Sequence, residues 1–477
     1  MRFEHLLQLA QRPELPDSIR RLRRDGLWAL VNALNSVLPE VLLPARVHLD
    51  DDALILDDIT VTRDSFSRVV IVGGGKATAG MCRSLTARLD HRTPFTGAIN
   101  IPYGQPAPER ITAPGRGGAV AVTFCRHPIP DAAGVAGVHK MSRIIAESPT
   151  DALVLALISG GGSALMPLPA QGITLADKMA VNRLLLSCGA SIEEINCVRK
   201  HLSRIKGGGL SVAAHPRRVV SLIISDVVGD DLQTIASGPT VPDATTFAEA
   251  EETLRRYRIL GLLPQNVRQR LADGRAGRIP ETPKPGAPVF ARTVNRIIGS
   301  ARTAAAVACK RLGERGYAAE IFAADLHGDA RRYGGQLAHR LPGLCAGGSR
   351  RAAIGTGEFT VTLRGKGHGG RNQEMLLGVL NTLRENPDLE AHRLPWVIVS
   401  AAFDGVEGNS GAMGAVIDAT SLERSRERGI DLVSHLEQNN AKAVFEALGD
   451  LLVTGQTGTN VNDMTLILID GPQEANR

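Results

Sequence analysis

Two stretches of this chain place consecutive glycines beside a polar or charged group where a strand would hand over to a helix. Gly73-Gly74-Gly75-Lys76 follows the apolar run Val69-Val70-Ile71-Val72, and Ser159-Gly160-Gly161-Gly162-Ser163 follows a second apolar run at 152–158. Glycines at a strand end let backbone N–H groups approach an anion, and a following helix N-terminus adds a favourable dipole. The ammonium of Lys76 at such a mouth can meet phosphate or carboxylate. A third stretch, Ser225-Asp226-Val227-Val228-Gly229-Asp230-Asp231, follows the strand-like run 219–224. Carboxylates there, Asp226 or Asp230, can bind Mg2+ or take a proton from a substrate hydroxyl. Each stretch also has an ordinary reading: a tight turn with a solvated lysine, or an aspartate cluster that caps its own loop.

The C-terminal half adds Gly365-Lys366-Gly367-His368-Gly369-Gly370-Arg371, which precedes a helical pattern and puts Arg371 at the helix start. A guanidinium fork suits carboxylate or phosphate better than a lysine does. The loops Asp404-Gly405-Val406-Glu407-Gly408 and 454–463, with Thr457 and Asn460, are of a kind that holds a nucleotide's phosphates and its metal. Near 196–209, Arg199 and Lys200 read as solvated, and Lys206 followed by three glycines reads as a helix end. Two familiar nucleotide motifs are excluded. A Walker A loop needs Ser or Thr after its lysine, and Ala77 follows Lys76; the dinucleotide fingerprint needs a third glycine where Thr78 stands.

These loops need parallel strands beneath them. Strand-like and helix-like segments alternate along the chain, the mark of α/β architecture. We expect two domains, 1–250 and 285–477, joined by a linker within 245–290, where Pro280, Pro283 and Pro285 cluster. At 477 residues the chain is too long for one ordinary core.

Composition narrows the class. The chain is 43% hydrophobic and 22% charged, as a soluble globular protein is. Its net charge of +6 suits anionic ligands. The dense basic run Arg20-Arg21-Leu22-Arg23-Arg24 reads as a solvated helix face, and 3% aromatics supply few base-stacking platforms, so no nucleic-acid partner is expected. No apolar run reaches the roughly 18–20 residues of a membrane span. The N-terminus lacks a secretory pattern, and six scattered cysteines without metal spacing suit a reducing, cytoplasmic setting.

Taken in order, GGGKA (73–77), SGGGSAL (159–165), NCVRKHLSRIKGGGL (196–210), SDVVGDDLQTIASGPT (225–240), GGRNQE (369–374) and TGQTGTNVND (454–463) resemble the glycerate 2-kinase family, whose C-terminal part is called MOFRL. The match runs over roughly 69–470. The resemblance implies two different α/β domains with largely parallel sheets and an active site in the cleft between them. It implies ATP-dependent phosphorylation of D-glycerate at the 2-hydroxyl, with ATP and Mg2+ as cofactors and small-molecule partners only. A homo-oligomer stays open. Lys76, Asp226 and Arg371 carry over as catalytic residues, with Arg371 clamping an anion from the opposite domain. The resemblance points to Gly73, Gly74, Gly75, Ser159, Gly160, Gly161, Gly162, Ser163, Asp230, Asp404, Thr457 and Asn460 around the nucleotide, and to Asp226 and Asp230 for the metal. Two departures stand out: Glu407 occupies an aspartate position of the family's DGxDG, and Gln456 replaces a proline. The competing readings are a hydroxypyruvate reductase using a nicotinamide cofactor and a non-catalytic sensor of a phosphorylated sugar acid.

Overall fold

The computed structural model describes residues 2–113, 117–345, 350–389 and 394–471. The chain divides into two compact units: Pro39–Ile298, and Met1–Leu38 together with Gly299–Arg477.

The first unit opens on a small antiparallel sheet, β1 (Val47–Leu49), β2 (Ala53–Leu56) and β3 (Ile59–Thr62). Its main sheet contains β4 (Val69–Gly74), β5 (Phe95–Pro102), β6 (Arg110–Thr112), β7 (Gly118–Cys125), β8 (Leu153–Ser159), β9 (Arg218–Ile224) and β10 (Thr293–Gly299). Their spatial order is β10-β9-β8-β4-β5-β7-β6. The pairs from β9 through to β7 are parallel, and β6 is antiparallel to β7. Every residue of β4 and β8 is buried. Such runs, apolar on both faces, are what a parallel sheet covered by helices requires.

The second unit holds β11 (Ala318–Leu326), β12 (Arg351–Gly357), β13 (Trp396–Ala402), β14 (Gly414–Asp418), β15 (Leu451–Leu452) and β16 (Asp463–Ile469), ordered β11-β12-β16-β13-β14-β15. Both units are α/β, as implied, and parallel pairing dominates the first sheet. In the second it is confined to β11–β12. The last strand is one cause, since β16 inserts between β12 and β13 and runs antiparallel to both; β13, β14 and β15 also pair antiparallel. Insertion of a C-terminal strand between two earlier ones leaves no trace in the order of elements.

Two expectations about organisation change. The region 245–290 is not a linker. Thr246 caps the helix Phe247–Arg256 in a reciprocal capping box with Glu249, and Phe247, Leu254, Val267 and Leu271 are buried in a side core of the first unit. Even the proline-rich turn is tied down, with the Asp243 N–H donating to the Pro283 carbonyl at 2.9 Å. Residues 1–38 fold with the C-terminal half because their helix Asp17–Ser36 is fastened to it. Arg23 is fully buried, its Nε 2.6 Å from Asp418 Oδ2 and its Nη1 2.7 Å from Asp450 Oδ1. A buried guanidinium is tolerable only with such partners. The basic run is therefore not a uniformly solvated face, since Arg21 also pairs with Asp470.

Candidate active site

The first sheet is doubly wound. From β4 the chain moves to one side through β5 and β7, then crosses back to add β8 and β9 on the other side. The strand order thus reverses between β4 and β8, and ligands in such sheets bind beyond the carboxyl ends of strands at that switch point. The loops that leave those two ends are the two glycine loops. Asp226 leaves the end of β9, the next strand over. One sheet edge therefore gathers Lys76, Gly160–Ser163 and Asp226.

The two glycine loops are locked to each other. The Lys76 N–H donates to the Gly160 carbonyl at 2.8 Å, and the Ala77 N–H donates to Ser159 Oγ at 2.9 Å. Ser159 is buried, with Thr78 Oγ1 at 3.3 Å, so its hydroxyl fixes loop geometry. Gly75 has φ +152°, and a Cβ there would lie 2.1 Å from Ser159 Oγ. Gly73 and Gly74 lie inside β4 itself and form the platform below. The Lys76 carbonyl accepts from Gln105 Nε2 at 2.6 Å. Backbone bonds on both sides of the residue fix where its side chain starts.

Beyond β8, Gly161 has φ +82° and leads into the short helical turn Gly162–Leu165. A chain of polar side chains runs from it. Lys206 Nζ donates to the Ser163 carbonyl at 2.7 Å and to Ser163 Oγ at 2.6 Å. Ser163 Oγ is 3.1 Å from Ser237 Oγ, which donates to Asn196 Oδ1 at 2.9 Å. Burial, then the charges of Lys178 and Arg199, pull the Lys206 ammonium well below the ordinary lysine range. Lys206 is not part of a helix end. The preceding helix stops at His201, and Gly207 and Gly208 donate to the carbonyls of Ser237 and Gly238. Ala236 and Ser237 have φ of +52° and +61°, a conformation costly for residues with a Cβ and often found at functional sites. Nor is Lys200 solvated: it is buried, with Nζ 3.3 Å from Asp243 Oδ1.

Three aspartates follow β9. Asp231 caps its own turn, accepting from the Gln233 N–H and from Thr234 Oγ1. Asp226 and Asp230 are half-buried and bracket Val227–Gly229. No group of three or more His, Cys, Asp or Glu side chains suited to a metal occurs among the described residues. Two carboxylates suffice for Mg2+, which usually takes one or two together with substrate phosphates and water.

In the second unit Arg371 is the first residue of the helix Arg371–Glu385, as its position in the sequence suggests. The fork expected to hold a ligand's anion holds a protein carboxylate instead. Its Nε and Nη2 lie 2.5 and 2.6 Å from the two oxygens of buried Asp463, and Nη1 is 3.3 Å from Glu358 Oε1. Glu407 caps the same helix, accepting from the Asn372 N–H at 2.6 Å, Asn372 Nδ2 at 3.0 Å and the Gln373 N–H at 3.1 Å. Burial foremost, and the Asp463 charge, push its carboxyl up to about 7 against those hydrogen bonds. The longer side chain at this family position thus has a local role as a cap.

The N–H groups of Gly365, Gly367, His368 and Gly369 have protein acceptors from Gln438, Asn439, Asn440 and Asn409, so this glycine loop packs against its neighbours. Thr457 is likewise buried: its Oγ1 donates to the Phe403 carbonyl at 2.5 Å and its N–H to the Asp404 carbonyl at 3.1 Å. Asn460 Oδ1 accepts from the Asn462 N–H at 3.4 Å. Thr457 thereby ties its loop to the Phe403–Asp404 turn after β13, while the Asn460 bond stays within its own loop.

Sequence comparison matches residues 27–272 to a domain of unknown function, DUF4147, and residues 351–463 to the MOFRL family. A protein of Agrobacterium vitis bearing a provisional hydroxypyruvate reductase name is 39% identical over 84% of this chain and 87% of its own. A glycerate 2-kinase of Pyrococcus horikoshii is 34% identical over 94% of this chain and 97% of its own. The crystal structure of a glycerate kinase from Thermotoga maritima superposes with a TM-score of 0.78 at 29% identity, covering 95% of this chain and all of that one. Both kinases share nearly their whole length with this chain, and the chain belongs to the glycerate kinase family.

Proposed function

We propose that the protein is a glycerate 2-kinase that transfers the γ-phosphoryl group of ATP to the 2-hydroxyl of D-glycerate, giving 2-phosphoglycerate and ADP. The observation that carries this reading is the single sheet edge on which Lys76, the Gly160–Ser163 loop and Asp226 leave three adjacent parallel strands. Phosphoryl transfer asks a protein mainly for positioning and charge neutralisation. Asp226 takes the proton of the 2-hydroxyl as its oxygen attacks the γ-phosphorus and the bond to the bridging oxygen of ADP breaks. Lys76 neutralises the substrate carboxylate or the transferring phosphoryl oxygens. Asp230 would hold Mg2+, joined by Asp226 only where Asp226 is not the base, and the ion would supply charge neutralisation on the phosphates. Arg371 acts through Asp463 as a positioning residue at the start of its helix.

The reductase reading has the names of some relatives in its favour. Against it, Gly73 and Gly75 pack on β8, and no Asp or Glu ends β5, the strand where a dinucleotide site carries its acidic residue. Two assays on one preparation separate the readings: ADP release dependent on D-glycerate, and NADH or NADPH consumption with hydroxypyruvate. Glycerate-dependent ADP release without reductase turnover supports the kinase; the opposite pattern rejects it.

A further inference from the structure

A cavity of about 390 Å3 opens in the first unit beside Gly161 and Ser163. Its polar wall carries Lys178, Arg199 and Lys206, with exposed Arg183 also lining it. Among the described residues, no Asp or Glu lines it. The cations instead lean on neutral groups. Lys206 is bonded to Ser163, Lys178 Nζ donates to the Pro167 carbonyl at 3.3 Å, and Arg199 Nε donates to Asn182 Oδ1 at 2.8 Å. Lys206 is buried, with 4% of its surface exposed. Three basic side chains gathered without a carboxylate among them disfavour one another's charge, and an anion that joined them would restore it.

The rest of the lining is largely apolar. It includes Pro128, Ile129, Pro130, Met179 and Leu186, of which Ile129 and Leu186 are about 61% and 60% exposed. Large apolar side chains left in water beside a cationic wall suit a ligand with a flat apolar end and a polyanionic end. Size points the same way. At about 30 Å3 per water, the cavity has room for roughly a dozen waters. A three-carbon hydroxy acid, with seven heavy atoms and one charge, would leave most of that space and charge unmet.

We propose that this cavity is the nucleoside triphosphate site, with the phosphate chain on Lys178, Arg199 and Lys206 and the base against Ile129, Met179 and Leu186. The assignment rests on the kinase reading and goes beyond it by moving the nucleotide away from the loops 404–408 and 454–463. It also places the phosphate chain beside Ser163, one loop from Lys76 and one strand from Asp226, where the γ-phosphoryl group must arrive.

The test uses the full-length enzyme with ATP, Mg2+ and D-glycerate. Lys178→Met keeps the volume and removes the charge. Leu186→Glu puts a negative charge on an exposed rim position, where folding is not at stake. Each variant should raise KM for ATP at least tenfold and leave KM for D-glycerate within about twofold. Equilibrium dialysis of ATP without glycerate should show the same loss. An unchanged KM for ATP in both variants overturns the assignment, and so does a rise confined to KM for D-glycerate, which would make the cavity the acid site. Failure of the wild-type enzyme to turn over ATP at all would instead reject the kinase reading, and the nucleotide site with it.

Discussion

Arg371 and Asp463 meet as a two-pronged ion pair, with both carboxylate oxygens within 2.6 Å of the guanidinium. The pair joins the start of the helix Arg371–Glu385 to the start of β16 and leaves Asp463 3% exposed. Removing one partner of such a pair leaves an uncompensated buried charge, at a cost of about 3–5 kcal/mol. Arg371→Ala should therefore destabilise the protein by that order. Arg371→Lys should recover part of the loss, because it restores charge without the fork. Urea denaturation measures both. A single-alanine variant as stable as the parent would show that the pair does not hold this region together.

Glu407 gives stability a pH dependence. Its carboxyl is raised from the ordinary 4.5 to about 7, so the folded chain binds its proton more tightly than the unfolded chain does. Between those values the folded state carries more protons, and stability falls as pH rises. Asp463, pushed up to about 6 chiefly by burial, contributes in the same direction over a lower window. The fall from pH 5 to pH 8 should be on the order of 1–3 kcal/mol, and Glu407→Gln should flatten it. Thermal melts across that range provide the check, and an equal slope in parent and variant would contradict the assignment.

The interlocked glycine loops predict a graded pair of variants. Ser159→Ala leaves the buried Ala77 N–H without its acceptor and should cost about 1–3 kcal/mol. Gly75→Ala forces a Cβ to within 2.1 Å of Ser159 Oγ at φ +152°, and should cost more. Activity should fall with both, since Lys76 is the next residue. Equal stability for the two variants would mean the loop can relax around the added methyl.

Lys76→Met should keep the fold and lose ~10²–10³ in kcat, the usual effect of removing one preorganised charge contact. Circular dichroism on the same sample separates lost chemistry from lost structure. Near-parental turnover in a folded variant would remove Lys76 from the mechanism.

What could be read from the sequence was the part written in adjacent residues. The run Val69–Val72, the following glycines and Lys76 stand together, and the structure puts them at a strand end as expected. Arg371 at a helix start was legible for the same reason. Partners far apart in the chain were not. Nothing near Arg371 announces Asp463, 92 residues on, and Arg23 in a run of basic residues gives no sign that Asp418 and Asp450 will bury it. Lys178 lies on a helix with no glycine loop beside it, so only folding brings it to the cavity with Lys206. The proline cluster near 280 looked like a linker because local chemistry marks turns without saying whether a turn is packed.

The most direct test of the central claim is the identity of the product. Purified enzyme with ATP, Mg2+ and D-glycerate should yield a product that enolase consumes at once, with no phosphoglycerate mutase added, because transfer goes to the 2-hydroxyl. A strict requirement for the mutase would identify 3-phosphoglycerate and contradict the proposed regiochemistry. Absence of ADP release alongside NADH-dependent reduction of hydroxypyruvate would contradict the account as a whole.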